Sequence, residues 1–501
     1  MSLSRRARFI KRPEIMLDAT LPVPLYKQLY ERLRGAILAG RLEGGARLPS
    51  TRTLASELGI SRSTTVLAYT QLLLEGYLES RAGQGTLVAR DLPATLFHEQ
   101  TVQTKASPSG ALKTSLTPLA SRVRLLQGMP FPERIEEPVG GAFRGGEPAL
   151  DLFPFEVWAR LIARRARQSL HAFARYQPPA GYYPLREAIA AQIGITRGVR
   201  CVPEQIIITA GSQGAFDLAA RTLLNSGEAV WMENPCYFGA RGALLAAGAR
   251  LVPVPVDEQG LVVETGRKRC PEARLVSTTP SHQFPTGVTM SLSRRLALLD
   301  WAREADAWIL EDDYDSEYRS SGRPLEALQG LDHAGRVLYT GTFSKVLFPT
   351  LRLGYLVAPA ELVEPLLTMR RFLDVHIPML EQMALCDFLH EGYYGRHVRQ
   401  MLHHYSRLRD LLHRELCTHL GGLLEVHAPE GGLNLVGWLP PGKDDRRASR
   451  LAAQVGIEVM PISTFSLEPL PRGGLLFGYA RTDEEAILHG VKTLAAALEH
   501  L

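Results

Sequence analysis

The chain has 501 residues, of which 45% are hydrophobic and 22% are charged. This balance is typical of globular proteins and excludes a wholly disordered chain, and the length corresponds to roughly three domains, or to one small and one large. No apolar run approaches the roughly 20 residues of a membrane span, and the basic N-terminus lacks the apolar stretch of a signal peptide. The five cysteines are dispersed without metal-ligand spacing. This favours a reducing cytosol, with no zinc site and no membrane partner.

The net charge of +5 is concentrated at one end of the chain. Residues 1–90 contain 14 Lys and Arg against 7 Asp and Glu, whereas the remaining residues carry a net charge of −2. A basic terminal segment beside a nearly neutral body favours nucleic acid as the partner of that segment. A merely solvated basic face would have the same charge.

Three short helices are predicted near the start of the chain. An apolar residue recurs every four positions from Leu25 to Ile37, which predicts the first helix. Ser50 and Ser61 precede two further apolar patterns, and a serine hydroxyl at such a position accepts a hydrogen bond from a free amide of the first helical turn. The second pattern ends at Gly59. The two later helices are therefore joined by a tight turn, as in a helix-turn-helix.

Two strand-like segments follow the third helix, on which Val66, Tyr69 and Leu73 are predicted to share one apolar face. They lie at Tyr77–Ser80 and Thr86–Val88 and are joined by a glycine-rich turn. Three helices and a two-stranded hairpin together make a winged helix-turn-helix, which we assign to residues 20–90.

The second helix of a helix-turn-helix lies in the major groove of DNA, and its first residues face the base edges. Arg62 is at that position and can form a bidentate contact with guanine, while neighbouring hydroxyls can reach phosphates. Arg81 and Gln84 suit a wing that reaches the minor groove. The predicted DNA-contacting residues are Ser50, Arg52, Ser61, Arg62, Thr64, Thr65, Arg81 and Gln84. The alternative is a small three-helix bundle used for protein contacts.

Residues 91–144 are predicted to form a flexible linker. Residues 91–140 contain six prolines and nine Ser and Thr, with little periodicity. A short ordered piece is expected at Leu119–Leu126.

Apolar strand patterns alternate with helical patterns in the rest of the chain, which predicts a mostly parallel α/β sheet. Strands are predicted at residues 205–209, 228–233, 249–256, 274–279, 307–311, 336–341 and 353–358, and helices at 212–225, 238–247, 291–304 and 360–370. We assign residues 145–501 to one domain. Its large part is expected at about 185–360 and a smaller α+β part at about 145–184 and 361–501, with strands at Leu433–Leu439 and Gly474–Tyr479.

Lys345 is the first candidate for chemistry in this domain. It follows an apolar strand, with Thr342 and Ser344 just before it and Arg352 seven residues later. A lysine beside hydroxyls and an arginine suits a cofactor that has an aldehyde and a phosphate, because the amine forms a Schiff base while the other groups hold the phosphate. Alone, such a lysine would be an ordinary surface residue.

Three further elements fit the same cofactor. Gly211, Ser212 and Gln213 follow a strand and open a helix, which is a natural anion site. Asp312 ends another apolar strand, where ligands gather in open α/β sheets, and a carboxylate there can keep a pyridinium nitrogen protonated. Tyr237 follows a third strand and suits stacking on a cofactor ring. Each element alone is weak evidence.

These motifs resemble two known families. The N-terminal segment resembles the DNA-binding domain of GntR-type bacterial transcription regulators, in the motifs Arg47–Ala55, Leu58–Arg62, Glu75–Tyr77 and Gly83–Thr86. The body resembles the fold-type-I aminotransferases, which use pyridoxal 5′-phosphate (PLP). The fusion of the two, with the motifs Pro280–Gly287, Glu311–Glu317 and Gly341–Lys345, resembles the MocR/GabR-type subfamily, whose members sense small molecules through the cofactor.

The resemblance implies a role for each candidate residue. Lys345 would form the Schiff base with PLP, and Asp312 would pair with the ring nitrogen. Tyr314 would contact the ring hydroxyl, and Tyr237 would stack on the ring. The phosphate would be surrounded by Gly211, Ser212, Gln213, Thr342, Ser344 and Arg352. Tyr176 would reach the phosphate of the neighbouring subunit, because the sites of that family lie at a dimer interface, so a homodimer is expected.

Three positions depart from working aminotransferases. Phe284 stands where an asparagine usually bonds the ring hydroxyl. Leu476 aligns with the arginine that clamps a substrate α-carboxylate, and a leucine cannot supply that bidentate pair. Gly239 replaces an arginine that some amino-acid-sensing relatives carry, with Arg241 and Arg481 nearby in sequence as possible substitutes.

The sequence therefore predicts a PLP-dependent bacterial transcription regulator of the cytoplasm and nucleoid. A small amine effector, or PLP itself, would control binding of the heads to double-stranded operator DNA. One alternative is an active aminotransferase with an appended DNA-binding domain, against which the absent carboxylate clamp argues. Another is a regulator that has lost the cofactor, against which the intact set of Lys345, Asp312 and Arg352 argues. Lys345 is the catalytic candidate, with at most weak or partial transamination expected.

Overall fold

The computed structural model describes residues 15–81, 83–90, 120–129, 141–168, 174–319, 326–499 and 501. The chain divides into two compact units, Met1–Leu116 and Thr117–Leu501, and each is described by itself. Most of the predicted linker, residues 91–144, lies outside the described residues.

The first unit consists of three helices and a hairpin, as predicted. Its elements are α1 (Leu25–Leu38), α2 (Thr51–Leu58), α3 (Arg62–Leu74), β1 (Leu78–Arg81) and β2 (Gly85–Val88). The two strands pair antiparallel. Both predicted serine caps are confirmed: Ser50 Oγ accepts from the Thr53 amide and Ser61 Oγ from the Thr64 amide, each at 3.1 Å.

Helix α3 buries a different face from the one expected. Tyr69 is buried, as predicted, but the prediction for Val66 is wrong, because its side chain is 39% exposed. Thr65 and Leu72 are fully buried instead, at positions i and i+7 of the buried stripe. Leu72 packs in one cluster with Leu29 of α1. The inner face is therefore set by helices packing on α3 from two sides.

The second unit is built on an eight-stranded sheet. Its strands are β3 (Ile206–Thr209), β4 (Ala229–Asn234), β5 (Arg250–Asp257), β6 (Gly260–Leu261), β7 (Leu275–Thr278), β8 (Trp308–Asp313), β9 (Val337–Thr342) and β10 (Gly354–Val357). Their order in the sheet is β3-β10-β9-β8-β7-β4-β5-β6. The five strands from β9 to β5 are parallel, whereas β10 is antiparallel to both of its neighbours and β6 is antiparallel to β5. All seven predicted strands are present.

Thirteen described helices and a second sheet, β11-β12-β14-β13, complete this unit. The helices that lead up to and flank the large sheet are α4 (Ser121–Gln127), α5 (Phe155–Gln168), α6 (Tyr183–Arg197), α7 (Gly211–Leu223), α8 (Phe238–Ala246), α9 (Val263–Arg269), α10 (Leu292–Glu304), α11 (Leu328–Leu331) and α12 (Ala360–Leu373). The C-terminal elements are α13 (Met379–His390), α14 (Tyr393–Leu420), β11 (Glu425–Val426), β12 (Asn434–Trp438), α15 (Asp445–Gln454), β13 (Met460–Pro461), β14 (Gly474–Gly478) and α16 (Glu484–Leu498).

Helices cover both faces of the large sheet, because its side chains are apolar on both sides. Val230 of β4 clusters with Phe216 of α7 on one face. The next residue, Trp231, points to the opposite face and stacks on Trp301 of α10, with ring centroids 3.6 Å apart. A sheet buried on both faces leaves the carboxyl ends of its parallel strands as the place where ligands bind.

Helix α4 lies inside the predicted linker, close to the short ordered piece expected at Leu119–Leu126. It packs against α8. The two strands predicted in the C-terminal part are confirmed as β12 and β14. In the described ranges, no helix combines the length and apolarity that crossing a membrane requires.

Candidate functional site

The first unit presents most of the predicted DNA-contacting residues to solvent. The exposed residues are Ser50, Arg52, Ser61, Arg62, Arg81 and Gln84, and Thr64 is half-buried. Arg62 opens α3, directly after the Ser61 cap. Thr64 Oγ1 shares a hydrogen bond of 2.8 Å with Ser61 Oγ, and Arg81 forms an ion pair of 3.0 Å with Glu79. The exposed start of α3 and the tip of the hairpin therefore carry arginines, as a DNA-reading surface requires.

The assignment of Thr65 to this surface is wrong. Its side chain is fully buried, and its Oγ1 has no hydrogen-bond partner among the described residues. Thr65 therefore belongs to the core of the first unit and does not face solvent.

A cavity of about 320 Å³ lies in the second unit. The predicted site residues that line it are Ser212, Tyr237, Asp312, Tyr314, Thr342 and Lys345. They follow or end β3, β4, β8 and β9, four strands that are separate in sequence. The sheet topology therefore gathers them at one edge, where the parallel strands end.

Lys345 is held in this cavity by the backbone. Its Nζ donates a hydrogen bond of 2.6 Å to the carbonyl oxygen of Gly146. Burial lowers the pKa of Lys345, and the nearby carboxylates of Asp315, Glu147 and Asp312 act in the opposite direction. A lysine with a lowered pKa is more often neutral, which makes its amine a nucleophile.

Asp312 is a buried carboxylate with an unused acceptor. Its Oδ1 has no hydrogen-bond partner among the described residues. Burial raises the pKa of Asp312 well above its usual value, and the charges of Asp313, Asp315 and Glu233 raise it further. A cationic N–H group placed at Oδ1 would satisfy this oxygen and stabilise the ionised carboxylate.

A candidate anion cradle lies at the start of α7. Gly211 has a φ of +69°, and a Cβ on it would lie 3.2 Å from the guanidinium of Arg352. Arg352 Nη2 in turn donates to the carbonyl of Ala210 at 3.1 Å. Ser344 Oγ is buried without a hydrogen-bond partner in the described parts of the chain, and the Ser344 amide donates to Thr342 Oγ1 at 3.2 Å. A helix N-terminus, an arginine and an unused hydroxyl together suit a phosphate.

Two predicted cofactor residues have other positions. Gln213 Nε2 donates to the carbonyl of Gly239 at 3.0 Å, so its amide anchors the first turn of α8. Tyr176 is 87% exposed, with its ring 6.2 Å from that of His376. Within one chain Tyr176 is not part of the described cavity lining.

Aromatic rings surround the position expected for the cofactor. Tyr237 meets Phe284 edge to face at 5.7 Å, and Phe284 meets Tyr314 in the same way at 5.9 Å. Tyr314 OH lies 3.1 Å from Nδ1 of His282, whose ring also contacts the Asp315 carboxylate at 2.9 Å. This wall offers flat apolar surface for a ring.

Two of the three positions that depart from working aminotransferases line the cavity, and the packing around the third leaves no room for a side chain. Leu476, on β14, and Phe284 both line the cavity. At Gly239 there is no room for a side chain, because a Cβ would lie 2.4 Å from the Tyr237 ring and 2.6 Å from Gln213 Oε1. Arg481 forms an ion pair with Glu147.

Sequence reasoning missed several residues of the cavity. They are Arg144, Gly145, Gly146, Glu147, Phe238, Pro349, Leu433, Asn434, Met460 and Phe465. Many come from loops far from the recognised motifs, and only the fold brings them together. Phe238 had a usable signal, since it adjoins Tyr237 at the end of a predicted strand.

Comparisons with known proteins agree with both units. The family model of gntR bacterial regulatory proteins matches residues 25–88, and that of aminotransferase class I and II matches residues 143–494. The probable rhizopine catabolism regulatory protein MocR of Rhizobium meliloti is 40% identical over 484 residues, which cover 96% of this chain and 95% of that protein. This chain belongs to the MocR-type GntR regulators. The HTH-type transcriptional regulator TauR of Rhodobacter capsulatus is 34% identical, over 95% of this chain and 96% of its own.

The body of this MocR-type regulator has solved relatives among enzymes. LysN, an α-aminoadipate aminotransferase of Thermus thermophilus, is 31% identical with a TM-score of 0.66, and the match covers 76% of this chain and 95% of that one. The predicted fold, a type-I aminotransferase body with an N-terminal winged helix-turn-helix, is confirmed, as is the identification as a transcription regulator. The class I and II aminotransferase fold is a PLP-binding fold.

Proposed function

We propose that this MocR-type regulator holds PLP on Lys345 and that the state of this site controls how its heads bind operator DNA. The observation that carries the proposal is the buried Asp312 Oδ1, which has no hydrogen-bond partner among the described residues and lines the same cavity as Lys345. Ser344 Oγ is a second buried, unused group, beside Thr342. Asp312 Oδ1 and Ser344 Oγ thus have no hydrogen-bond partner among the described residues, and the pyridine nitrogen and the phosphate of PLP would supply those partners.

Each residue would contribute a distinct interaction. Asp312 would accept from the ring N–H, and Arg352 with the first amides of α7 would bind the phosphate. The rings of Tyr237 and Phe284, which meet edge to face, would line the position of the cofactor ring. Bound PLP supplies an aldehyde carbon that an amine can attack.

Lys345 would be released when an amine effector binds. Bound PLP would supply the carbon at which the effector amine could replace Nζ, with Nζ taking the two protons that the amine gives up. A displaced Nζ would be able to donate to the Gly146 carbonyl again. The effector is a small amine or PLP itself, whose arrival and loss would change the same contacts.

The assembly in this proposal is a homodimer. Tyr176 is 87% exposed within one chain, which fits a side chain that completes the phosphate site of a neighbouring subunit. Two heads on one dimer would favour two repeated or inverted half-sites in double-stranded DNA.

The first test is the visible absorption spectrum of the purified full-length chain with added PLP, beside Lys345→Ala. A Schiff-base band in the wild-type protein that is absent from the variant would establish the cofactor and its lysine. Absence of the band from both proteins would overturn the proposal and favour a cofactor-free dimeriser with a DNA-binding head.

The alternative function is a true aminotransferase. The apolar Leu476 in the cavity lining disfavours it, because an α-carboxylate would meet no arginine at that position. Sustained transfer of an amino group from a donor to a keto acid would establish this alternative against the regulator proposed here. The measurement is the formation of the donor's own keto acid over many cycles.

A further inference from the structure

The wall of the cavity beyond the cofactor residues is hydrophobic. Phe238, Phe284, Met460, Phe465 and Leu476 all line the cavity and belong to one apolar cluster. Phe465 meets Phe284 edge to face at 5.1 Å and stacks near Phe238 at 6.3 Å. These residues come from α8, the loop after β7, and the β13–β14 region. Their convergence makes a continuous apolar surface beside Lys345.

The arginine in this wall is already ion-paired with carboxylates of the chain. Besides Lys345, the described lining holds one cationic side chain, Arg144. Its Nε lies 3.0 Å from Glu147 Oε1 and 3.9 Å from Glu458 Oε2. Arg481 pairs with the other oxygen of Glu147. A ligand carboxylate would have to compete with carboxylates of the chain for Arg144.

The field around Lys345 also disfavours an acid. The carboxylates of Asp315, Glu147 and Asp312 act on the Lys345 amine, with Arg352 as the opposing cation, so an ammonium group at this position already has carboxylate partners on the chain. At Gly239, the Tyr237 ring occupies the space that an additional arginine would need. The apolar wall, the ion-paired Arg144 and the packing around Gly239 therefore all disfavour a ligand carboxylate.

We propose that the effector of this site is a small apolar primary amine without an α-carboxylate. This inference rests on the proposed function, since the amine group would react at the position of Lys345. The apolar body of the ligand would lie against Phe284, Phe465 and Leu476. The cavity of about 320 Å³ is near the lower end of the range for ligand sites, roughly 300–1,000 Å³, and it also has to hold the cofactor ring. The ligand is therefore small.

The test compares pairs of molecules that differ by one carboxylate. The PLP-loaded full-length protein is titrated with 2-phenylethylamine against L-phenylalanine, and with 3-methylbutylamine against L-leucine. Binding is followed by the visible band and independently by calorimetry. Each amine is expected to bind about a hundredfold more tightly than its amino acid, because a buried carboxylate would be left without a partner.

Substitution of Leu476 provides the reverse test. Leu476→Arg restores a cation at the position where a carboxylate clamp is missing, and it is expected to improve binding of L-phenylalanine at least about tenfold. Leu476→Met has a similar size without the charge, and its order of affinities is expected to remain that of the wild type. Circular dichroism and retention of the PLP band check that both variants fold.

The outcomes separate this inference from the proposed function. No PLP band in the wild-type protein would overturn the proposed function itself. A PLP band with equal affinity for amine and amino acid, or with no response to either, would overturn the assignment of an apolar amine and leave PLP binding established. A clear preference for the two amines in the wild-type protein would support it even if Leu476→Arg does not fold.

Discussion

Lys345 Nζ donates a hydrogen bond of 2.6 Å to the carbonyl of Gly146, a residue 199 positions earlier in the chain. The amide of the same glycine donates to Asn434 Oδ1 at 3.0 Å. Gly146 thus connects the candidate catalytic lysine with strand β12 of the smaller sheet. The position of the lysine depends on a segment that carries no recognised motif.

The first prediction concerns this connection. Asn434→Ala removes the acceptor of the Gly146 amide and leaves that amide without its partner. We expect the free energy of unfolding of the full-length protein to fall by about 1–3 kcal/mol, measured by urea denaturation. The PLP band of the variant should also form more weakly, because Lys345 loses its fixed neighbour. Unchanged stability together with an unchanged band would show that the loop is held by other contacts.

The second prediction tests the head. Arg62→Ala should weaken binding to a duplex selected by the full-length protein from random sequences, by about 5- to 160-fold, because a bidentate base contact contributes about 1–3 kcal/mol. The PLP spectrum should not change. Arg32→Ala, an exposed arginine on α1, removes the same charge from another helix and serves as the control. Equal losses in both variants would mean that Arg62 contributes only charge.

The third prediction compares two glycines of α8. A Cβ at position 239 would lie 2.4 Å from the Tyr237 ring, whereas a Cβ at position 242 meets no described atom within 4 Å. We expect Gly239→Ala to destabilise the body by about 1–3 kcal/mol through overpacking and to weaken PLP binding. Gly242→Ala should instead stabilise it by roughly 0.5–1 kcal/mol, because alanine favours the helix. Thermal unfolding distinguishes the two, and a stable Gly239→Ala would refute the steric argument.

The fourth prediction concerns pH. Burial raises the pKa of Glu311 from about 4.5 to about 7, while its carboxylate accepts from the amides of Leu328 and Gln329 at 2.8 and 2.9 Å. Between about pH 4.5 and pH 7, Glu311 therefore keeps a proton in the folded state that it has released in the unfolded state. Stability from this group is present below about pH 4.5 and is lost as the pH rises towards 7, by up to about 3 kcal/mol.

Glu311→Gln cannot titrate and should reduce the fall in stability between pH 5 and 7. Glu264→Gln, at an exposed position of α9, should leave that fall unchanged. The measurement is urea unfolding at several pH values, and an identical pH dependence in all three proteins would contradict the assignment.

The sequence predicted the features that depend on local chemistry. The caps at Ser50 and Ser61 could be identified because a capping serine acts within its own helical turn. Thr65 was misplaced because the buried face of α3 depends on helices that pack from two sides, and its neighbours Val66 and Leu67 are exposed although apolar. A local apolar pattern does not contain that information.

The candidate site shows the same division. Lys345 and Asp312 were identified because each follows a buried strand in a recognisable motif. Arg144 and Asn434 were not, since they lie 290 residues apart and only the chain fold places both at the cavity. The apolar nature of Leu476 was noted in the sequence, whereas the ring of aromatic neighbours around it could not be derived without coordinates.

Helix α4 rests on α8, and the first residue of α8, Phe238, lines the cavity. The helix that supports α4 therefore begins at a residue of the cavity wall. A segment of the predicted linker is thus separated from the cavity by a single helix, although it is not among the described residues that line the cavity.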